Sequence, residues 1–122
     1  MNTLSLILIG FISLIHFYFM FLEMKLWEKK RIREMFGMSA ELAKQTRMMA
    51  FNQGLYNGFL ASGLLWSLIS TDINIKIQLQ IFFLGCVLVA GTVGALTVTK
   101  RIFWIQGLPA ALALLTLVFN TN

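Results

Sequence analysis

The sequence predicts an all-α integral membrane protein, a four-helix bundle, and three observations carry that expectation. Only 12% of its 122 residues are charged, against the roughly 25% usual in soluble domains. The uncharged runs are Leu4–Leu22, Met48–Thr71, Ile77–Thr99 and Ile102–Asn122, each near the ~20 residues that cross a hydrocarbon core about 30 Å thick. The cations are unevenly shared among the connecting segments. Of ten Lys and Arg, Lys25, Lys29, Lys30, Arg31, Arg33, Lys44 and Arg47 fall between the first two runs, Lys100 and Arg101 between the last two, and Lys76 alone between the middle two. In a four-span chain the first and third loops share a side, so this bias puts both in the cytoplasm and both termini outside (N-out/C-out). It also accounts for the net charge of +5 without nucleic acid, the partner such a charge would suggest in a soluble chain. The expected organisation is a single transmembrane domain over 1–122. Its spans fall at about 3–23, 48–70, 76–98 and 102–120, with a long basic cytoplasmic loop between helices 1 and 2.

The first span lacks the basic n-region and small-residue cleavage site of a signal peptide, and the cations after Glu23 act as a stop-transfer sequence. It is therefore expected to persist as a helix. At 100° per residue His16, Met20, Glu23 and Trp27 share one face. An intramembrane histidine is a functional candidate, though an imidazole hydrogen-bonded to a neighbouring helix would serve packing equally well. Met24 to Phe36 contains no breaker, so the helix is expected to continue out of the membrane with its apolar side at the interface. Gly37 is a suitable stop, Ser39 a suitable cap for the next helix, and Glu41 suits its first turn. The basic cluster reads as a topology determinant before it reads as a site for anionic headgroups.

The second span carries the densest polar patch, Asn52-Gln53-Gly54-Leu55-Tyr56-Asn57-Gly58. Asn52 with Tyr56, and Gln53 with Asn57, are i,i+4 pairs. Gly54, Gly58 and Ser62 form a small-residue ridge that lets helices approach closely. Ser70 to Asn74 is a short outer turn, which implies antiparallel neighbours. In the third span Cys86, Ala90 and Gly94, with Gly91 and Ala95 beside them, read as a helix–helix seam. Thr92, Thr97 and Thr99 can bond their own backbone carbonyls. In the fourth, Trp104 suits the cytoplasmic interface, and Pro109 frees the carbonyl of Ile105 beside Gln106.

Depth brings these groups together. Counted at ~1.5 Å per residue from the cytoplasmic boundary, His16, Asn52, Gln53, Tyr56, Asn57 and Gln106 all fall in the cytoplasmic half. The expected site is a polar intramembrane pocket built from these residues, with Glu23 among its groups and Trp27 at its mouth. Asn, Gln and His can also be interhelical glue worth about 0.6–2 kcal/mol per contact, so a purely structural network stands beside the pocket. No catalytic residue is identified, because no Ser/His/Asp set, phosphate loop or HExxH occurs. A lone Cys86 and a lone His16 supply neither a disulfide nor a metal-ligand cluster; no metal and no cofactor are expected.

The strings from His16 to Glu23, Phe36 to Ser39, Asn52 to Gly58 and Gln106 to Ala110 resemble a family of small bacterial integral membrane proteins of unknown function, domain of unknown function thirteen-oh-four. The resemblance covers nearly the whole chain, and Asn52 to Gly58 is its most specific part. It implies a multi-pass protein of the bacterial cytoplasmic membrane and no particular activity.

Three functions compete. One is binding of a small hydrophobic molecule or lipid in the pocket, with enzymatic chemistry left open. Another is a structural or accessory role in envelope homeostasis with no ligand. The last is transport, by similarity to the small multidrug transporters; there the boundary position of Glu23 and the one-sided charge bias count against the match. Membrane lipids are the expected partners, and the small-residue ridges serve either internal packing or a homodimer.

Overall fold

The helical signals of the sequence become five α-helices and two π-helical turns, seen in a computed structural model that describes residues 3–120. In chain order these are α1 (Thr3–Phe21), a π-helical turn Leu22–Leu26, α2 (Lys30–Phe36), α3 (Ala40–Ile69), α4 (Ile73–Thr97), a second π-helical turn Phe103–Gly107, and α5 (Leu108–Asn120). No strand occurs among the described residues. Among the described residues two helices are long and apolar enough to cross a membrane, Thr3–Leu26 and Ile73–Thr97, and Phe103–Phe119 is apolar but shorter. At 30 residues α3 is the longest helix, but Asn52, Gln53, Tyr56 and Asn57 dilute its hydropathy.

The helix ends follow local chemistry. The Ser39 hydroxyl accepts from the Leu42 amide at 3.1 Å, and Glu41 lies in the first turn of α3. Asp72 caps α4 by accepting from the amides of Asn74 at 2.8 Å and Ile75 at 3.2 Å. At the end of α2, Gly37 adopts φ 65°, the left-handed conformation that a Cβ penalises. There the Met38 amide reaches back to the Arg33 carbonyl at 2.8 Å and the Gly37 amide to Glu34 at 3.3 Å, a Schellman closure. The Thr92 and Thr97 hydroxyls bond the carbonyls of Leu88 and Val93.

Two expectations are corrected. The helix does not run unbroken from Met24 to Phe36: it widens at Leu22–Leu26, and Lys29 is extended (φ −66°, ψ 139°) before α2 begins. No residue here is a breaker. Instead Trp27 donates its indole N–H to the Thr46 hydroxyl at 3.0 Å and packs its ring 5.3 Å from that of Phe36, so contacts far along the chain override local propensity. In α4 the expected seam holds at Gly91 and at Gly94, whose added Cβ would lie 2.8 Å from Ile102 Cγ2, and fails at Ala90. Leu84, Val87 and Gly91 are buried, whereas Ala90 is exposed. A Cβ at Gly91 would lie 2.6 Å from the Gly107 nitrogen, so backbone meets backbone there. Pro109 has the expected consequence in a different form. With no N–H at Pro109 the ladder shifts, and the Leu108 amide bonds the carbonyl of Phe103 in a π turn.

The chain divides into two compact units, one of residues 15–59 and one of the residues up to Leu14 with those from Leu60 onward. The second has the apolar core, with Ile9, Ile12, Leu64, Leu84, Val87, Ala110, Ala113 and Leu117 in one buried cluster. Hydroxyls stitch its helices: Ser13 donates to the Ala61 carbonyl at 2.9 Å, and Ser5 to the Thr116 hydroxyl at 2.9 Å. Gln80 is fully buried in this unit, and neither its oxygen nor its nitrogen has a hydrogen-bond partner among the described residues. The unit of 15–59 is built around α1 from Ile15, the first π turn, α2 and α3 to Phe59, and buries Leu22, Glu23, Ile32, Ala43 and Ala50.

Candidate functional site

In the unit of 15–59 a carboxyl group is held between two helices. Glu23, in the first π turn, is 9% exposed. Its Oε2 accepts from Asn57 Nδ2 at 3.0 Å and its Oε1 from Gln53 Nε2 at 3.3 Å. Gln53 and Asn57 are one helical turn apart on α3, so their two carboxamides stand side by side and match the two carboxylate oxygens. The approach requires glycine. A Cβ at Gly54 would lie 2.7 Å from Met24 Cγ, 3.0 Å from the Met20 carbonyl oxygen and 3.1 Å from Glu23 Cβ, and one at Gly58 would lie 2.6 Å from Met20 Sδ. The small-residue ridge and the carboxamide pair thus act together. The glycines bring α3 against α1 and the π turn, and the amides then reach the carboxylate.

The ion pairs of this unit are at its surface. Arg47 Nη1 lies 3.5 Å from Glu28 Oε2, and Lys30 Nζ 3.8 Å from Glu34 Oε1, with half or more of most of these side chains exposed. Glu23 pairs with no Lys or Arg among the described residues. A carboxylate offers about four lone-pair sites, and its two carboxamides occupy two of them.

Beside Glu23 is a cavity of about 200 Å³, lined by Glu23, Trp27, Thr46 and Gln53 and by the apolar side chains of Met38, Leu42, Met49 and Ala50. Trp27 also lines a second cavity of about 290 Å³ with Met24, Lys25, Glu28, Lys29 and Arg47. One is apolar with a carboxyl group in its wall; the other is basic.

The structure therefore joins Glu23, Gln53, Asn57 and Trp27 and treats the remaining candidates differently. Asn52 and Tyr56 are both exposed, and the Tyr56 ring packs edge-on to Phe59 at 5.9 Å. Of the two i,i+4 pairs only Gln53 with Asn57 faces Glu23. His16 is buried, with its ring 5.7 Å from that of Phe19 and nearly perpendicular to it; it is not among the residues lining the cavity. Gln106 belongs to the other unit, in the second π turn, where its Cβ borders Gly91. Sequence reading missed Leu42, Thr46, Met49 and Ala50. They continue the Gln53–Asn57 stripe at helical spacing; starting the span at Met48 hides Leu42 and Thr46, and the apolar character of Met49 and Ala50 within it gives no sign of a site. Gln80 was also missed, in the run Ile77-Gln78-Leu79-Gln80. Among the described residues no three His, Cys, Asp or Glu side chains converge as a metal-ligand set would. The arrangement can accept hydrogen bonds or positive charge at a fixed carboxyl and cover an apolar body beside it.

A family model described as protein of unknown function (DUF1304) matches residues 10–118. The protein named Uncharacterized protein YpaA from Lactococcus lactis subsp. lactis (strain IL1403) is 31% identical over 121 residues, which covers 98% of this chain and 100% of that protein. No solved structure matches.

Proposed function

Since the chain belongs to the DUF1304 family of proteins of unknown function, we propose that it is a four-span protein of the bacterial cytoplasmic membrane that binds a small hydrophobic molecule or lipid around Glu23. In this reading α1, α3, α4 and the helix through α5 cross the bilayer, both termini are outside, and the basic segment from Lys25 to Arg47 lies in the cytoplasm. The site then opens toward the cytoplasmic leaflet, with Trp27 at its mouth, where indole rings favour the membrane interface. The observation that carries the proposal is the buried Glu23, held by Gln53 and Asn57 beside an apolar cavity. An ionisable group in hydrocarbon is costly unless it is partnered, and a bilayer protein that keeps one has a use for it.

Mass spectrometry of the protein purified gently from membranes tests binding. The wild type is expected to carry a small molecule that Glu23→Gln loses; equal profiles would remove the binding role. Topology is tested separately in a Cys86→Ser background. An impermeant maleimide is expected to label Ser70→Cys on intact cells and Lys30→Cys only after permeabilisation, and the reverse pattern would invert the orientation.

A structural role without a ligand is the second reading. What favours it is that Gln53 and Asn57 bond Glu23 within the chain, tying α3 to the π turn with no further partner needed.

A further inference from the structure

We infer that the molecule bound at Glu23 is an alkylammonium amphiphile, with its positive head against the carboxylate and the start of its chain along Met38, Leu42 and Met49. The inference rests on the binding reading above and adds the chemical class of the ligand.

Three observations select that class. Glu23 is buried and accepts from two neutral carboxamides, and it has no Lys or Arg partner among the described residues. Buried carboxylates are ordinarily matched by a cation, so the charge this site lacks is positive. Lone-pair sites remain on both oxygens after the two amide bonds are counted, so an ammonium can be taken without breaking either bond. The wall beside the carboxyl is the indole of Trp27, which attracts cations through its face, followed by thioether and aliphatic side chains. A carboxylic acid or phosphate would meet like charge at Glu23.

Size limits the ligand further. The cavity holds about 200 Å³, below the roughly 300–1,000 Å³ of pockets that enclose drug-sized molecules. It suits an ammonium and a short run of carbons; a longer chain would leave along the apolar side. Lys25, Lys29 and Arg47 line the neighbouring cavity with Glu28, and Arg47 is already drawn to Glu28 at 3.5 Å. All three cations are exposed, where solvent and salt screen them.

The test is calorimetric titration of the full-length protein in a neutral detergent with hexylammonium, 1-hexanol and hexanoate, with matched detergent blanks. Hexylammonium is expected to bind at least tenfold more tightly than 1-hexanol, and hexanoate more weakly than either. Glu23→Gln is expected to bring hexylammonium within twofold of 1-hexanol. Equal binding of hexylammonium and hexanol by the wild type, or a preference for hexanoate, would overturn the inference while leaving a binding site. Binding of none of the three would overturn the inference, and the binding reading would then stand or fall on the mass-spectrometric comparison of wild type and Glu23→Gln. The ranking on the wild type decides the question even if the variant does not fold.

Discussion

Asn57 donates its side-chain amide to Glu23 Oε2 at 3.0 Å, across 34 positions of chain. One turn earlier Gln53 makes the same kind of bond to the other oxygen at 3.3 Å. The two differ in setting, since Asn57 is half-buried and Gln53 is exposed. A donor shielded from water is harder to replace, so the Asn57 bond is the one on which the position of Glu23 depends.

Asn57→Leu is therefore expected to destabilise the protein by about 1–3 kcal/mol, because it leaves a buried acceptor short of a donor. Gln53→Leu is expected to cost less, about 1 kcal/mol or below, since water can take the place of its amide. Thermal unfolding in detergent, followed by circular dichroism, orders the two. An equal or reversed order would mean that Glu23 is held by something other than these bonds.

Gly91→Ala is expected to cost about 1–3 kcal/mol through overpacking. The new Cβ would lie 2.6 Å from the nitrogen and 2.8 Å from the Cα of Gly107, and backbone cannot rotate out of the way. Gly85→Ala in the same helix meets nothing within 4 Å and is expected to be neutral or to stabilise by up to ~1 kcal/mol through helix propensity. The pair of melting temperatures separates crowding from propensity.

Gly37 gives the complementary case, with free space around it but a φ of 65°. Gly37→Ala is expected to cost about 1–2 kcal/mol from backbone strain alone, and Gly37→Asn less, because Asn tolerates the left-handed region. The same unfolding measurement checks both, and an Ala variant as stable as the wild type would show that α2 can end another way.

Gln80→Leu is expected to raise stability by about 1–3 kcal/mol. It replaces a fully buried carboxamide that has no hydrogen-bond partner among the described residues with an apolar group of similar size. A lower melting temperature would assign Gln80 a polar partner outside that set and make it a second place to look for function.

Much of this could be read from residues alone where the cause was local. The cap at Ser39, the stop at Gly37 and the approach at Gly54 and Gly58 depend on a few neighbouring side chains, and each occurs as its residue type implies; the cap at Asp72, read only as part of a short turn, is equally local. Helical spacing also put Gln53 and Asn57 on one face. It could not say which of two adjacent polar pairs turns inward, because Asn52 and Tyr56 have the same spacing and their outward direction is set by the glycine ridge packing on Met20. The break at Trp27–Lys29 was illegible for a related reason: its cause, Thr46, lies 19 positions away. Depth counting groups Gln106 with the others on one coordinate alone, while contacts along the chain assign it to the other compact unit.

The turn at Leu22–Leu26 has a consequence for comparing sequences. A π turn is an α-helix that has absorbed one extra residue, so the stripe entering it at His16 and Met20 leaves it out of step by about 100°, the angle one residue spans. A relative lacking its equivalent of Leu22 would align almost perfectly, yet it would turn its equivalent of Glu23 by about 100° relative to the helix entering it, away from the two carboxamides. Identity scores weigh that gap lightly. The register of that turn is therefore what to inspect before a relative's carboxylate is equated with Glu23.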